Sequence, residues 1–198
     1  RDSNNIAITG SAGKTSVKEL TGFCLNKIDK TYYSKNSFNN KYGVPLSIIN
    51  SPQSTKFSVL EVGMDKKGEI DTLTKLIRPN LGLITNISYA HIKNFKNLDE
   101  IAKAKGEIIN NISPSGVMIV TKDDKYCNYF ISKAKMRNLN IITFSKKNKL
   151  ADVVYLGERK NGNKFLCKFL IKRKIKFFLI PDYLIDFKEN ILSTLSII

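Results

Sequence analysis

The stretch from residue 8 to residue 16 has the composition of a loop that binds phosphate. It reads Ile-Thr-Gly-Ser-Ala-Gly-Lys-Thr-Ser and lies between a predicted strand and a predicted helix. Glycines allow backbone N–H groups to face phosphate oxygens, and the N-terminus of the following helix adds partial positive charge. We therefore expect Lys14 to reach the terminal phosphates of a nucleotide and the Thr15 hydroxyl to bind Mg²⁺. The alternative is a glycine-rich turn that precedes Lys-Thr by coincidence.

Two further polar residues belong to apolar runs that we predict to be strands, or follow them. Glu61 lies near the end of the run Phe57–Val62, and His91, the single histidine of the sequence, follows the run Leu81–Ile87. Open α/β folds bind ligands at the carboxyl ends of their strands, where a carboxylate can hold Mg²⁺ on a nucleotide. The sequence therefore favours placing both residues in one site. An ordinary acidic residue at a strand end and a structural histidine are the alternatives.

Two other polar segments indicate no function by themselves. Lys103 and Lys105 belong to a predicted helix over Leu98–Asn110, where lysines are usually solvated. The loop Asn36–Tyr42 is rich in asparagine and has the composition of a plain connection between a strand and a helix. Their meaning depends on which elements lie beside them.

Short apolar runs alternate with amphipathic stretches over the first 150 residues, which is typical of a parallel sheet with crossover helices. Three strands then follow without helices between them, which predicts antiparallel pairing with turns at Asn161-Gly162 and Arg173-Lys174. We predict an α/β fold: a mostly parallel sheet with flanking helices over about residues 1–150, a small antiparallel sheet over about 151–182, and the start of a helix over 188–198. The predicted strands are 5–9, 31–34, 57–62, 81–87, 117–121, 140–144, 153–157, 164–171 and 174–180, and the other predicted helices are 14–27, 45–50, 68–77, 98–110 and 124–137.

The composition is that of an ordinary globular protein. The chain has 198 residues, of which 42% are hydrophobic, and no apolar run approaches the ~20 residues of a membrane span. Cys24, Cys127 and Cys167 are far apart, which argues against a zinc site or a disulfide framework. A reduced, cytoplasmic setting is the simplest interpretation.

The net charge of +16 has two interpretations. A strongly basic surface attracts polyanions such as nucleic acid or an anionic membrane surface. The lysines are spread along the chain, however, and the densest cluster, Lys168–Lys176, alternates with apolar residues as in a hairpin with one solvated face. We therefore interpret the net charge as a compositional preference for lysine and predict no nucleic-acid partner. A positive field would also attract anionic small substrates.

In this order, the motifs resemble the central ATP-binding domain of the Mur ligases of peptidoglycan synthesis. Thr9–Thr15 matches the family's shortened loop Thr-Gly-x-x-Gly-Lys-Thr/Ser, and Glu61 matches its strand-end glutamate. Asn86–His91 matches its Asn-x-x-x-x-His loop, and Ala104-Lys105 matches the Ala-Lys of the following helix. Glu189-Asn190 stands where the family has His-Asn. The resemblance covers essentially all 198 residues.

The resemblance implies an ATP-dependent amide ligase that acts through an acyl phosphate. A substrate carboxylate attacks the γ-phosphate of ATP, ADP leaves, and an incoming amine then displaces phosphate. Such chemistry depends on charge neutralisation and positioning. The resemblance also implies that Lys105 is the lysine that CO₂ can carbamylate. It assigns catalysis to Lys14, Glu61, His91 and Lys105, ATP binding to Gly10, Ser11, Ala12, Gly13, Lys14, Thr15, Ser16 and Asn190, Mg²⁺ binding to Thr15, Glu61 and His91, and substrate binding to Asn40 and Asn86.

Three stretches resemble one branch of the family, which joins D-alanyl-D-alanine (D-Ala-D-Ala) to a UDP-MurNAc-tripeptide. They are residues 38–45, 61–70 and 78–91, the last followed by 104–108. The branch implies these two small-molecule partners and a cytoplasmic monomer without a membrane span. The alternatives are a folylpolyglutamate- or cyanophycin-type ligase, and a non-catalytic nucleotide-binding module whose basic face binds an anionic partner. Since the family has three domains, we expect its N-terminal UDP-binding domain and its C-terminal domain to lie outside this chain.

Overall fold

The computed structural model describes residues 3–89 and 94–198. In these ranges the chain forms a nine-stranded sheet with helices on both faces. The segments Gly106–Asn111 and Asp182–Phe187 are 3-10 helices. The strands are β1 (Asn4–Thr9), β2 (Thr31–Tyr33), β3 (Phe57–Glu61), β4 (Leu81–Ile84), β5 (Val117–Thr121), β6 (Asn140–Ser145), β7 (Val153–Asn161), β8 (Lys164–Ile171) and β9 (Lys174–Pro181). The α-helices are α1 (Lys14–Leu25), α2 (Gly43–Asn50), α3 (Glu69–Ile77), α4 (Leu98–Lys105), α5 (Cys127–Met136) and α6 (Lys188–Ile197).

The strand order is β2-β3-β1-β4-β5-β6-β7-β8-β9. Neighbours from β2 to β7 are parallel, whereas β7, β8 and β9 are antiparallel. This confirms the predicted α/β class. β7 pairs with β6 through Phe144 opposite Val153 and Ser145 opposite Val154. The antiparallel strands therefore extend the main sheet.

The apolar core lies on both faces of the sheet because successive side chains of a strand point to opposite sides. In β1, Ala7 belongs to the core layer under α2, α3, α4 and α5. Its neighbours Ile6 and Ile8 belong to the layer under α1 and α6. Burial on both faces explains why the parallel strands are continuous apolar runs in the sequence. In the described part of the chain, no helix has both the length and the apolar character needed to cross a membrane.

Several elements end at other residues than the sequence predicts. β4 ends at Ile84 instead of Ile87, because Asn86 leaves the sheet to contact the loop after β1. The helix predicted over 98–110 becomes a 3-10 helix at Gly106. α5 begins at Cys127 instead of Asp124. The Asp124 carboxylate accepts a hydrogen bond from the backbone N–H of Tyr126, in the turn that leads into α5.

The two hairpin turns each lie one residue from their predicted positions. β7 extends to Asn161 instead of Gly157 and pairs there with Lys164, so the first turn is 162–163. Ile171 pairs with Lys174, so the second turn is 172–173, and both of its residues have positive φ (47° and 66°). Two-residue turns of this kind match the twist of the flanking strands. The register of the strand pairs, which the turn residues alone do not reveal, determines these positions.

Candidate active site

The loop between β1 and α1 needs glycine at two positions. Gly10 has φ +147°, and a Cβ there would lie 1.8 Å from Thr85 Oγ1. Gly13 precedes α1 with φ +79°, and a Cβ there would lie 2.6 Å from Asn190 Oδ1. Both positions combine a left-handed backbone with a close neighbour, which only glycine accommodates. The structure thus places Asn190, a predicted ATP contact from α6, beside the glycine that opens α1.

The segment after β4 holds the loop between β1 and α1 through hydrogen bonds. The Ser11 and Ala12 N–H groups donate to the Asn86 carbonyl (2.9 Å) and to Asn86 Oδ1 (3.0 Å). The Thr85 hydroxyl donates to the Ala12 carbonyl (2.6 Å). Asn86, which the resemblance assigns to substrate, therefore contacts the phosphate loop in this structure. The Ser11 hydroxyl donates to the Ser88 carbonyl (3.0 Å), which extends the same contact.

Two lysines from different helices meet at the Gly10 carbonyl. Lys14 Nζ donates to it at 2.8 Å and Lys105 Nζ at 2.9 Å. Burial lowers the pKa of Lys14, against the opposing effect of the Glu61 charge. Burial, followed by the positive charge of Lys14, lowers the pKa of Lys105 to about 7. The pair forms a concentrated positive site at the loop, suited to a polyanion such as the end of a triphosphate.

Lys105 and Lys103 differ in their environment although both lie on α4. Lys105 is 1% exposed, whereas Lys103 faces solvent. Ile101 is also buried, one helical turn before Lys105. The helix therefore presents Lys105 on its inner face, which is the face that contacts the phosphate loop.

The carboxylate of Glu61 is buried at the carboxyl end of β3 and bound on both oxygens. The Thr15 hydroxyl donates to Oε2 (2.8 Å) and Asn39 Nδ2 donates to Oε1 (2.7 Å). Sequence reasoning selected Thr15 and Glu61 but missed Asn39, choosing Asn40 in the same loop. Asn40 Oδ1 accepts the Gly43 N–H (2.9 Å) at the start of α2. The residue types do not distinguish these two asparagines, so the sequence carries no signal for Asn39.

The Thr15 and Glu61 oxygens fit one Mg²⁺ ion. Mg²⁺ is usually held by one or two protein oxygens together with water and substrate phosphates. A hydroxyl and a carboxylate in mutual contact beside the phosphate loop form such a set. In residues 3–89 and 94–198, no group of three or more His, Cys, Asp or Glu side chains has a metal-binding arrangement. His91, the third predicted ligand, lies outside the described residues.

A cleft of about 850 Å³ opens beside the two lysines of the phosphate loop. Its walls come from the loop before α2, from the segment between β3 and α3, and from α3 itself. The lining is rich in positive charge and has fewer acidic residues. The basic lining residues are Lys14, Lys41, Lys66, Lys67 and Lys105, and the acidic ones are Asp65 and Glu69. An anionic substrate in this cleft would lie next to the terminal phosphate.

Glu107 fixes one wall of this cleft and was not identified from the sequence. Its carboxylate oxygens accept the Gly68 N–H (2.9 and 3.0 Å), and Oε2 also accepts the Asp71 N–H (3.2 Å). These donors lie at the N-terminus of α3, where a negative charge is stabilised by the helix dipole. Glu107 therefore ties the start of α3 to the segment that follows Lys105.

The fold and the site together define a class of protein. A strand, a short glycine-rich loop and a helix that opens with Lys-Thr face a strand-end carboxylate at the carboxyl edge of a mainly parallel sheet. This is the arrangement of a nucleotide-binding P-loop domain. More particularly, the family model of the Mur ligase middle domain matches residues 8–192, and the chain belongs to that family.

Curated relatives of known name share this sequence at moderate identity. The UDP-N-acetylmuramoyl-tripeptide–D-alanyl-D-alanine ligase of Buchnera aphidicola (subsp. Baizongia pistaciae) is 38% identical over 169 residues, which are 83% of this chain and 36% of the relative. The ligase of the same name from Rickettsia prowazekii is 33% identical over 98% of this chain and 43% of the relative. The chain thus spans less than half the length of these relatives.

Solved structures agree with the fold. A crystal structure of MurF from Acinetobacter baumannii has a TM-score of 0.88 and 28% identity, covering 99% of this chain and 42% of that one. A MurF ligase from Thermotoga maritima in complex with ADP has a TM-score of 0.85 at 23% identity, covering 99% of this chain and 45% of that one. Both are similar along the whole of this chain.

Proposed function

We propose that this chain is the ATP-binding domain of a ligase that adds D-Ala-D-Ala to UDP-MurNAc-tripeptide. The observation that carries the proposal is the contact of Thr15 with Glu61 next to the two lysines on the Gly10 carbonyl. Polar groups from α1, β3 and α4 converge there on the place where the end of a triphosphate would lie. The names of the curated relatives supply the choice of substrates.

In the proposed reaction, the phosphate loop and Lys14 hold the β- and γ-phosphates of ATP. The Lys14 ammonium exchanges the Gly10 carbonyl for phosphate oxygens and neutralises the charge that develops during transfer. Asn190, whose side chain lies beside Gly13, would contact the nucleotide at this end of the loop. Thr15 and Glu61 would hold Mg²⁺, which supplies charge neutralisation at the phosphates when it is bound.

The substrate carboxylate enters the cleft beside the terminal phosphate. It attacks the γ-phosphorus, the bond to the bridging oxygen breaks, and ADP leaves with that electron pair. The amine of D-Ala-D-Ala then attacks the acyl carbon, loses a proton, and phosphate departs. Lysines of the cleft wall attract the anionic acceptor. Burial, then the charge of Lys14, lowers the pKa of Lys105 to about 7, which makes its neutral amine form accessible near neutral pH. A neutral amine is also the form that CO₂ carbamylates.

The rest of the activity belongs to polypeptide outside this chain. The relatives are more than twice as long as the region they share with it. We therefore assign binding of the UDP-sugar, and closure over ATP, to an N-terminal and a C-terminal domain. A cytoplasmic location and a monomeric state complete the proposal.

The test uses the gene product that contains this chain, supplied with MgATP and UDP-MurNAc-tripeptide. Phosphate release and product mass are followed with and without D-Ala-D-Ala. The proposal predicts release that depends on the dipeptide, with the matching mass gain, and loss of both in the Lys14→Ala variant. Nucleotide binding without turnover that depends on the dipeptide would refute the substrate assignment. Folate with glutamate, in a parallel reaction, tests the folylpolyglutamate alternative.

A further inference from the structure

Lys18 is a fully buried lysine that the proposed reaction does not use. It lies on α1 and its side chain has no exposed surface. Its ammonium contacts three acceptors: the Ser34 carbonyl (2.5 Å), the Asn36 carbonyl (2.6 Å) and Glu19 Oε1 (2.8 Å). An ammonium has three donors and no acceptor, so this environment satisfies all of them. A buried charge is tolerated only with such pairing.

Two of these acceptors belong to the backbone that leaves β2. The Ser34 N–H donates to the Val59 carbonyl of β3 (3.2 Å), while its own carbonyl is held by Lys18. Asn36 has a left-handed backbone (φ +49°), and its carbonyl points to the same ammonium. Lys18 therefore sets the path of residues 34–36, because it is the donor to the carbonyl of the buried Ser34 and also holds the carbonyl of the exposed Asn36.

The same loop continues directly into the candidate Mg²⁺ site. Ser37 Oγ lies 3.4 Å from Thr15 Oγ1, and Asn39 Nδ2 donates to Glu61 Oε1. The Asn39 carbonyl also accepts the Gly63 N–H beyond β3 (2.7 Å). Thr15 and Lys18 are three residues apart on α1, so one face of the helix carries both. α1 thus holds the loop through Lys18 and presents Thr15 to the carboxylate that the loop orients.

We propose that Lys18 is a positioning residue for the Mg²⁺-nucleotide site, acting through the loop 34–39 and the Asn39 carboxamide. The proposal rests on the proposed function, because it requires Thr15 and Glu61 to bind Mg²⁺ with the nucleotide. Removal of the ammonium releases the loop, Asn39 no longer fixes the Glu61 carboxylate, and affinity for the metal falls. Loss of an outer partner of a metal ligand typically weakens metal binding about 10- to 100-fold.

The experiment compares Lys18→Met with Asn39→Ala and the double variant in the full gene product. Binding of a fluorescent ATP analogue is titrated at increasing Mg²⁺, and hydrogen exchange reports on the amides of residues 34–43. We expect Lys18→Met to raise the Mg²⁺ concentration for half-saturation by about tenfold. Asn39→Ala should do the same with Lys18 intact. The double variant should need no more Mg²⁺ for half-saturation than either single variant, because both substitutions break the same series of contacts from Lys18 through Asn39 to Glu61.

A matched control separates positioning from general loss of stability. Phe169→Leu removes packing in β8, at a fully buried residue away from the loop. It should lower the melting temperature without changing the Mg²⁺ requirement or exchange in 34–43. A Lys18→Met protein with a normal Mg²⁺ requirement refutes the positioning role, as does a double variant whose effects add. If Lys18→Met does not fold, a normal Mg²⁺ requirement in Asn39→Ala refutes it equally. Wild-type protein that binds no nucleotide refutes the proposed function as well.

Discussion

The buried ammonium of Lys105 should give this domain a characteristic dependence of stability on pH. Burial, then the charge of Lys14, lower its pKa from 10.5 to about 7 in the folded protein. Between these values the unfolded chain binds more protons than the folded one, so the free energy of unfolding rises with pH. The destabilisation is complete below pH 7 and disappears as the pH approaches 10.5.

The size follows from the difference between the two pKa values. Each pKa unit corresponds to 1.36 kcal/mol, so burial of Lys105 lowers the free energy of unfolding by about 5 kcal/mol at low pH. The loss is about 4 kcal/mol at pH 7 and about 2 kcal/mol at pH 9. Lys105→Met removes the charge and keeps a long unbranched side chain. The Gly10 carbonyl retains the Lys14 donor. We expect the variant to be more stable than wild type by up to about 4 kcal/mol at pH 7, and by about half of that at pH 9.

Urea unfolding at pH 7, 8 and 9 in CO₂-free buffer measures this difference. Titrating groups away from the Lys14–Lys105 pair are common to both proteins and cancel. Lys103→Met, on the exposed face of the same helix, is the matched control and should change stability by less than about 0.5 kcal/mol at every pH. A Lys105→Met protein less stable than wild type at pH 7, or a difference that does not change with pH, would refute the reasoning.

Three further outcomes follow from the site. Gly13→Ala should reduce nucleotide affinity and cost about 1–2 kcal/mol of stability, because its backbone is left-handed and its Cβ would lie 2.6 Å from Asn190 Oδ1. Equilibrium binding and urea unfolding check both effects, and Asn190→Ala in the same protein should restore part of the stability, because it removes the close contact, but not the affinity. Glu61→Gln should abolish the Mg²⁺ dependence of ATP-analogue binding while leaving the melting temperature within a few degrees, as fluorescence titration and thermal unfolding would show. Glu107→Gln should lower stability by about 1 kcal/mol, measured by urea unfolding, since a charged acceptor is lost at the N-terminus of α3.

The parts of this site that were predictable are local in sequence. The loop from Gly10 to Thr15 can be recognised from the sequence because a strand, two glycines and Lys-Thr must be adjacent along the chain to bind phosphate. The place of Glu61 in the site was predictable because the carboxyl ends of parallel strands share one edge of the sheet. The structure brings Thr15 and Glu61 into contact, as expected. Their roles in ATP and Mg²⁺ binding stay predictions, as does the role of His91.

The parts that were missed depend on contacts between distant segments. Asn39 and Asn40 are adjacent and chemically identical, and only the path of the loop decides which one reaches Glu61. Glu107 and Lys18 read as ordinary helix residues, although one caps α3 from another element and the other is fully buried. Helical periodicity could have predicted the burial of Lys105, since it lies four residues after the apolar, buried Ile101. Periodicity identifies the inner face of a helix, but not what that face meets.

The two lysines on the Gly10 carbonyl have a consequence for the thermodynamics of ligand capture. A long side chain that is free before binding loses about 1.5–2 kcal/mol of rotamer entropy when a ligand immobilises it. Lys14 and Lys105 are already held by one shared carbonyl. Much of that loss therefore occurs during folding, and an arriving phosphate only substitutes for an existing acceptor. Preorganisation of this kind favours affinity by lowering the entropic cost of association. Titration calorimetry should accordingly show a smaller entropic penalty than flexible surface lysines would impose.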